Sequence, residues 1–171
     1  MSLLHTPPAV GFDQPFEMLS ACHERVQRSL ALLGRLAAHL PMAGADAAAR
    51  DAAGDVLRYF DLAAPHHHED EERHVLPRLR AMGRADVADR LAADHQAMHA
   101  AWAALRPGLL ALRDDARVPD TGSWAAFGDL YDAHIALEEQ VAYPAVRRTL
   151  AEGEIAVMGD EMAGRRRTGL A

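Results

Sequence analysis

A repeated pattern of aromatic, histidine, glutamate and proline positions is the feature of this sequence that most limits its fold. The segment that begins at Phe60 reads F-x6-H-x3-E-E-x4-P-x-[LV]-R, and the same pattern begins again 67 residues later. Residues four positions apart lie on the same side of an α-helix, one turn apart. The repeat therefore predicts two equivalent helices that each carry a His-x3-Glu pair, His67 with Glu71 and His134 with Glu138.

Three consecutive histidines, at positions 66 to 68, leave the histidine of the first copy ambiguous. Each of them has an acidic residue four positions further on, so helical geometry alone does not choose between them. The repeat chooses His67, because only that histidine matches His134. We therefore predict that His66, His68 and His74 lie on other faces of the helix, in solvent or behind the ligands.

Apolar side chains recur at helical spacing through most of the chain. Alanine and leucine are abundant and only 5% of the residues are aromatic, which favours helix over sheet. Ser123 is a suitable N-cap for one of the helices, and Pro107-Gly108 predicts a kink in another. The predicted helices span about 15–40, 46–80, 84–113, 123–150 and 152–165.

Four long helices with short connections predict an all-α fold, an antiparallel up-down-up-down four-helix bundle. We expect an N-terminal arm over residues 1–14, the bundle over 15–150, and a short C-terminal helix and tail over 151–171. The arm is predicted from its prolines and glycine, and no linker is long enough to divide the chain of 171 residues into two domains.

The two other long helices add three histidines to the repeated pairs. The third helix carries His95 and His99 at i and i+4, and the first carries His23 on a mostly apolar pattern. Seven such groups buried in a bundle without a cation would be costly, which favours a metal site. The predicted metal ligands are His23, His67, Glu71, His95, His99, His134 and Glu138.

The chemistry of these ligands indicates which metal they suit. Five imidazoles and two carboxylates exceed the four ligands of an ordinary zinc site, and the set lacks the thiolates of structural zinc. It also lacks the oxygen-only shell of calcium or magnesium. We predict two six-coordinate non-haem iron ions, bridged by the carboxylates and by an oxo or hydroxo group. Manganese or zinc can bind the same groups.

The charge of the chain argues against a nucleic-acid partner. Lys plus Arg number 18 and Asp plus Glu number 25, which gives a formal charge of −7. Nucleic-acid binders usually carry a basic face instead. The one basic cluster, Arg165 to Arg167, is interpreted as a solvated C-terminal run.

No apolar run approaches the length of a membrane span, and the first residues do not resemble a secretory leader, so a cytoplasmic location without membrane attachment is expected. The single cysteine, Cys22, excludes an intramolecular disulfide. We interpret it as a packed small residue, with a redox-active thiol as the alternative.

The combined motif resembles the hemerythrin-like, or HHE cation-binding, family. The resemblance covers about residues 15–150. Its residues are Cys22-His23-Glu24-Arg25, His67-x3-Glu71-Glu72 with Leu76-Pro77, Asp94-His95-x3-His99, and His134-x3-Glu138-Glu139 with Tyr143-Pro144.

The resemblance implies a four-helix bundle around a di-iron centre. It implies that His23 and His67 bind one iron, that His95, His99 and His134 bind the other, and that the two glutamates bridge. Two alternatives stay open. Glu139 can replace Glu138, since the oxygen carriers place the last carboxylate five residues after the final histidine. The ligand set can also lack His99, as it does in several branches of the family.

The implied function is to bind or sense oxygen or a related small ligand, as a sensor of redox state or iron. One alternative is an enzyme that acts on peroxide or nitric oxide, or an iron donor in iron-centre repair. Another is iron storage or a metal buffer. The sequence leaves enzymatic activity undecided and favours a metal-binding or sensing protein. The expected ligand is oxygen, peroxide, nitric oxide or an anion, and the expected assembly is a monomer or homodimer.

Overall fold

The structure is a computed structural model that describes residues 10–168. All regular structure in that range is helical, which confirms the all-α fold. The antiparallel order of the bundle and the domain boundaries stay predictions, and residues 1–9 of the predicted arm lie outside the described residues. The helices are α1 (Pro15–Ala43), α2 (Ala47–Arg58), α3 (Ala64–His74), α4 (Leu76–Ala81), α5 (Ala85–Asp115), α6 (Trp124–Leu137), α7 (Tyr143–Arg147) and α8 (Glu152–Thr168).

Two π-helical turns connect some of these helices, the first over Tyr59–Ala63 and the second over Glu138–Ala142. Each ends two residues before a proline, Pro65 or Pro144. Proline has no N–H to donate, and its ring clashes with the carbonyl four residues back, so the preceding turn widens. The second π turn begins at a predicted ligand, Glu138. By contrast, α5 continues past Pro107 to Asp115.

The long helical stretches pack around a common interior. Helix α1 contacts α2 and α6, while α5 contacts α2, α4 and α6. The apolar core has two clusters, one centred on residues such as Leu33, Leu57 and Phe127, the other on Leu19 and Leu79. Along the chain, a residue of one cluster precedes and a residue of the other follows His23, the pair His67 and Glu71, His95, and Glu138. The ligands therefore form a polar layer between two apolar half-cores.

Helix α8 closes one end of the interior. Its Met158 and Met162 are buried in the second cluster. The interpretation of its arginines as a solvated run is wrong for two of the three. Arg165 and Arg166 both bind the carboxylate of Asp70, which is fully buried in α3, with an Arg166 Nη2 to Asp70 Oδ2 distance of 2.6 Å. A buried carboxylate requires such partners.

The contact between α8 and the chain ahead of α1 depends on a glycine. A methyl group at Gly159 would overlap the carbonyl oxygen of Phe12, which is backbone. We expect Gly159→Ala to lower the free energy of unfolding by about 2 kcal/mol through this overlap. Gly34, in α1, has no atom within 4 Å of an added Cβ. Gly34→Ala should instead raise that free energy by about 0.5–1 kcal/mol.

Urea unfolding of the two alanine variants, followed by circular dichroism, measures both changes. Equal effects of the two substitutions would contradict the assigned contact between α8 and Phe12.

Within residues 10–168, none of the helices combines the length and the apolar character that crossing a membrane requires.

Candidate metal centre

Six of the seven predicted ligands meet in the polar layer and form two overlapping groups. We name them the α1 group (His23, His67, Glu71 and Glu138) and the α5 group (Glu71, His95, His134 and Glu138). Within each group, one potential ligand atom per residue lies within 4.8 Å of every other, and all six residues are buried. The two glutamates belong to both groups.

The two carboxylates each extend one oxygen toward each group. Oε1 of Glu71 lies 3.3 Å from Nε2 of His67, and its Oε2 lies 3.3 Å from Nε2 of His95. Oε2 of Glu138 lies 3.0 Å from Nε2 of His23, while Oε1 lies 3.0 Å from Nε2 of His134. Each of the two carboxylates therefore faces both groups.

The four facing atoms of the α5 group are buried without hydrogen-bond partners. They are Nε2 of His95, Nε2 of His134, Oε2 of Glu71 and Oε1 of Glu138. The nitrogens and oxygens lie at ion-pair distance, but a buried polar atom without a hydrogen bond costs about 1–3 kcal/mol. A cation held by all four atoms would compensate this cost, so the donor set fits a metal ion.

The pKa values also show that the site attracts positive charge. Burial lowers the pKa of His23, but contacts with Glu138, Glu71 and Glu139 outweigh it and raise that pKa to about 9. The pKa of His95 rises to about 9 in the same way, through Glu71, Glu138 and Glu72. Since a metal ligand must be a neutral imidazole, metal uptake at these histidines would release protons.

Glu138 and Glu139 have different places, although sequence reasoning left both open as ligands. Glu138 is fully buried and belongs to both groups. Glu139 is half-buried, accepts a hydrogen bond from Ser20 and lies 2.6 Å from Nδ1 of His23, on the outer side of the ring. The structure thus brings Glu138 into the centre and places Glu139 behind a histidine.

Outer carboxylates also lie behind two other histidines. Nδ1 of His95 is 3.0 Å from Glu72, and Nδ1 of His134 is 3.5 Å from Asp94, which is ion-pair distance without a hydrogen bond. Such outer partners fix the ring orientation and increase the basicity of the inward nitrogen. Nδ1 of His67 is buried and has no hydrogen-bond partner.

His99 is the predicted ligand that the structure leaves outside both groups. It is exposed, and its Nε2 lies 3.4 Å from Nδ1 of His68. His68 is buried, with its ring stacked on His95 at 4.2 Å between centroids and 13° between planes. His66 and His74 also lie outside both groups, the latter paired with Glu161.

Sequence reasoning did not identify Tyr143 as part of the centre. Its hydroxyl donates a hydrogen bond to Oε1 of Glu71 and lies 3.3 Å from Nε2 of His23, and its ring is parallel to that of His23. Burial raises the pKa of Tyr143 well above its usual value, so the phenol is neutral. The repeat contained a sign of this role, because Tyr143 replaces the apolar Leu76 of the first copy with a residue that carries a hydroxyl group.

The fold and the site together define an all-helical protein with a His/Glu cluster suited to metal cations. The family profile described as the hemerythrin HHE cation binding domain matches residues 14–154. A protein of Haemophilus influenzae, described as an uncharacterized protein, is 33% identical over 169 residues, which cover 97% of this chain and 98% of the relative. The chain belongs to the hemerythrin HHE cation-binding family.

Proposed function

We propose that the protein holds two non-haem iron ions and uses them to bind or sense oxygen or a related small ligand. The observation that carries this proposal is the pair of groups that share two carboxylates. One ion would lie in the α1 group and the other in the α5 group, with Glu71 and Glu138 as common ligands. A centre with one ion would leave no role for the opposite oxygen of each carboxylate.

The residues of the chain would supply four donors to each ion, two imidazole nitrogens and one oxygen from each glutamate. Iron bound there would supply electron transfer and affinity for small ligands. The negative charge of the site supports two cations rather than one, because the outer carboxylates of Glu139, Glu72 and Asp94 add to the charge of the two shared glutamates. Their position behind three of the histidines favours the ferric state.

A second candidate function is an enzyme that reduces peroxide or nitric oxide at the same centre. The placement of His99 favours it. With His99 outside both groups, the protein would offer four donors to each of the two ions. A six-coordinate ion held by four protein donors would keep positions for small ligands.

Anaerobic loading with Fe(II), followed by oxygen, tests the proposed function. We expect about two irons per chain by elemental analysis, because the groups provide two sets of four donors. We also expect an oxygen adduct that forms and is lost reversibly, measured by near-ultraviolet absorption. Prompt oxidation with turnover of peroxide or nitric oxide would support the enzyme instead. Binding of one iron or none would contradict the two-ion centre.

Elemental analysis of protein purified without added metal identifies the native cation. Manganese or zinc in place of iron would overturn the choice of metal and leave the ligand set in place.

A further inference from the structure

We propose that His68 donates a hydrogen bond from its Nε2 to a small ligand bound at the α5 group. This inference rests on the proposed function, and it adds a residue that positions and selects the ligand. His68 is not among the residues whose ligand atoms converge in either group, so its part differs from that of the metal ligands.

The burial of His68 is the first observation behind this inference. The side chain is 2% exposed, and its Nε2 has no hydrogen-bond partner. The ring stacks on His95, and its centroid lies 6.2 Å from that of His134, so it borders the two histidines of the α5 group. A buried imidazole nitrogen without a partner is costly, and a ligand that accepts its hydrogen bond removes that cost.

The contact of the other ring nitrogen, Nδ1, supports a proton on Nε2. Nδ1 of His68 lies 3.4 Å from Nε2 of His99, which is exposed. If His99 donates that hydrogen bond, Nδ1 of His68 is the acceptor and its proton resides on Nε2. His99 then serves to fix the tautomer of His68, although the sequence suggested a metal ligand.

The internal repeat shows that helix packing does not require a histidine at this position. The residue that matches His68 in the second copy is Ile135, which is buried in the apolar core. An apolar side chain thus occupies the equivalent place, so the imidazole is a departure from the repeat. His68 thus replaces an apolar residue in the part of the interior where buried polar atoms of the α5 group also have no hydrogen-bond partners.

A small cavity adjoins His68 and limits the class of ligand. Its volume is about 100 Å³, and its lining includes Phe60, His68, Met98, His99, Trp102 and Tyr131. One water occupies roughly 30 Å³ in the liquid, so the cavity suits a molecule of two or three heavy atoms. Mostly apolar walls, with Nε2 of His68 as a buried donor without a partner, suit a small hydrogen-bond acceptor such as a diatomic gas or a linear triatomic anion.

Azide binding to the iron-loaded ferric protein tests the role of His68. His68→Phe keeps a ring against His95 but has no nitrogen, and we expect it to raise the azide dissociation constant about tenfold. His68→Gln, which keeps an N–H donor, should restore part of the affinity. Iron content should stay at the wild-type value in both variants. In wild-type protein, the stretching frequency of bound azide should shift in D2O, and this shift should vanish in His68→Phe.

His66→Gln is the matched control. His66 is the neighbouring histidine, half-buried, and lines a different cavity beside Cys22 and Arg25. Its replacement should leave azide affinity unchanged.

Three outcomes would overturn the inference: unchanged azide affinity in His68→Phe, a D2O shift that persists in that variant, or loss of iron in both His68 variants, which would make His68 a ligand. Wild-type protein that binds no pair of irons would overturn the proposed function as well, and this result is visible before any variant is compared.

Discussion

Glu71→Ala is expected to abolish binding of both proposed metal ions. Glu71 extends Oε1 toward the α1 group and Oε2 toward the α5 group, so its loss takes one donor from each proposed ion at once. It also leaves His67 and His95 buried opposite a single remaining carboxylate. Loss of a ligand shared by both ions should lower metal affinity by at least the 10–100-fold that loss of an outer partner causes. We expect less than about 0.3 ion per chain after desalting.

Elemental analysis of the loaded, desalted protein measures this occupancy. Glu71→Gln keeps the volume of the side chain and provides a second variant if the alanine variant folds poorly. Glu69→Ala is the matched control, because Glu69 lies two residues away, is partly exposed and pairs with Arg73. His67→Ala and His134→Ala each alter one group and should retain more metal. One ion at full occupancy in both Glu71 variants would show that the carboxylate is not shared.

Asp70→Asn is expected to lower the free energy of unfolding by about 3 kcal/mol, near the low end for a broken buried ion pair. The side chain of Asp70 is 1% exposed, whereas those of Arg165 and Arg166 are 15% and 25% exposed. The amide removes the negative charge between two guanidinium groups, and water reaches both arginines in part, which moderates the cost. Arg165 also pairs with Glu161, so it keeps a carboxylate partner in the variant. Arg166 should therefore lose more ion-pair energy than Arg165.

Urea unfolding of the Asp70 variant measures the change, and trypsin cleavage after Arg165 and Arg166 reports whether α8 detaches first. Asp55→Asn is the control, since Asp55 pairs with Arg58 on the surface at i,i+3. That substitution should lower the free energy of unfolding by less than about 0.5 kcal/mol. An Asp70 effect as small as that of Asp55 would show that the arginines do not secure α8.

The repeat carried most of what the sequence could predict about the centre. It selected His67 from three neighbouring histidines, and the structure places that residue in the α1 group with Glu71. Helical periodicity also located the long helices to within a few residues of their bounds, because apolar spacing reports directly which face is buried.

The position of His99 outside both groups has a physical reason that the sequence contained. The inward positions of α5 alternate in steps of four and three, over Leu91, His95, Met98, Trp102, Leu105, Leu109 and Leu112. After His95 the next inward position is therefore Met98, which is fully buried, and His99 turns toward solvent. A pair at i and i+4 shares a side of the helix only approximately, and the whole apolar stripe decides which member faces inward.

The contact of Arg165 and Arg166 with Asp70 was beyond sequence reasoning for a different reason. The partners are 95 and 96 positions apart, and local patterns hold no information on such a pairing. The acidic run from Glu69 to Glu72 obscured it as well, because its four members have four different environments. Only packing separates a buried carboxylate from its exposed neighbours.

The repeat has a mechanical consequence for the loaded protein. In the proposed centre, the first half of the chain would contribute His23 and His67 to one ion and the second half would contribute His95 and His134 to the other. Each half would also contribute one glutamate to both ions. Two ions bound in this way would cross-link the two halves through their shared carboxylates, as a disulfide cross-links two segments through sulfur. The stability that this cross-link adds would increase with the concentration of free metal, because a cation that binds only the folded state stabilises it by mass action. Iron supply would then set the free energy that keeps the two halves packed against each other.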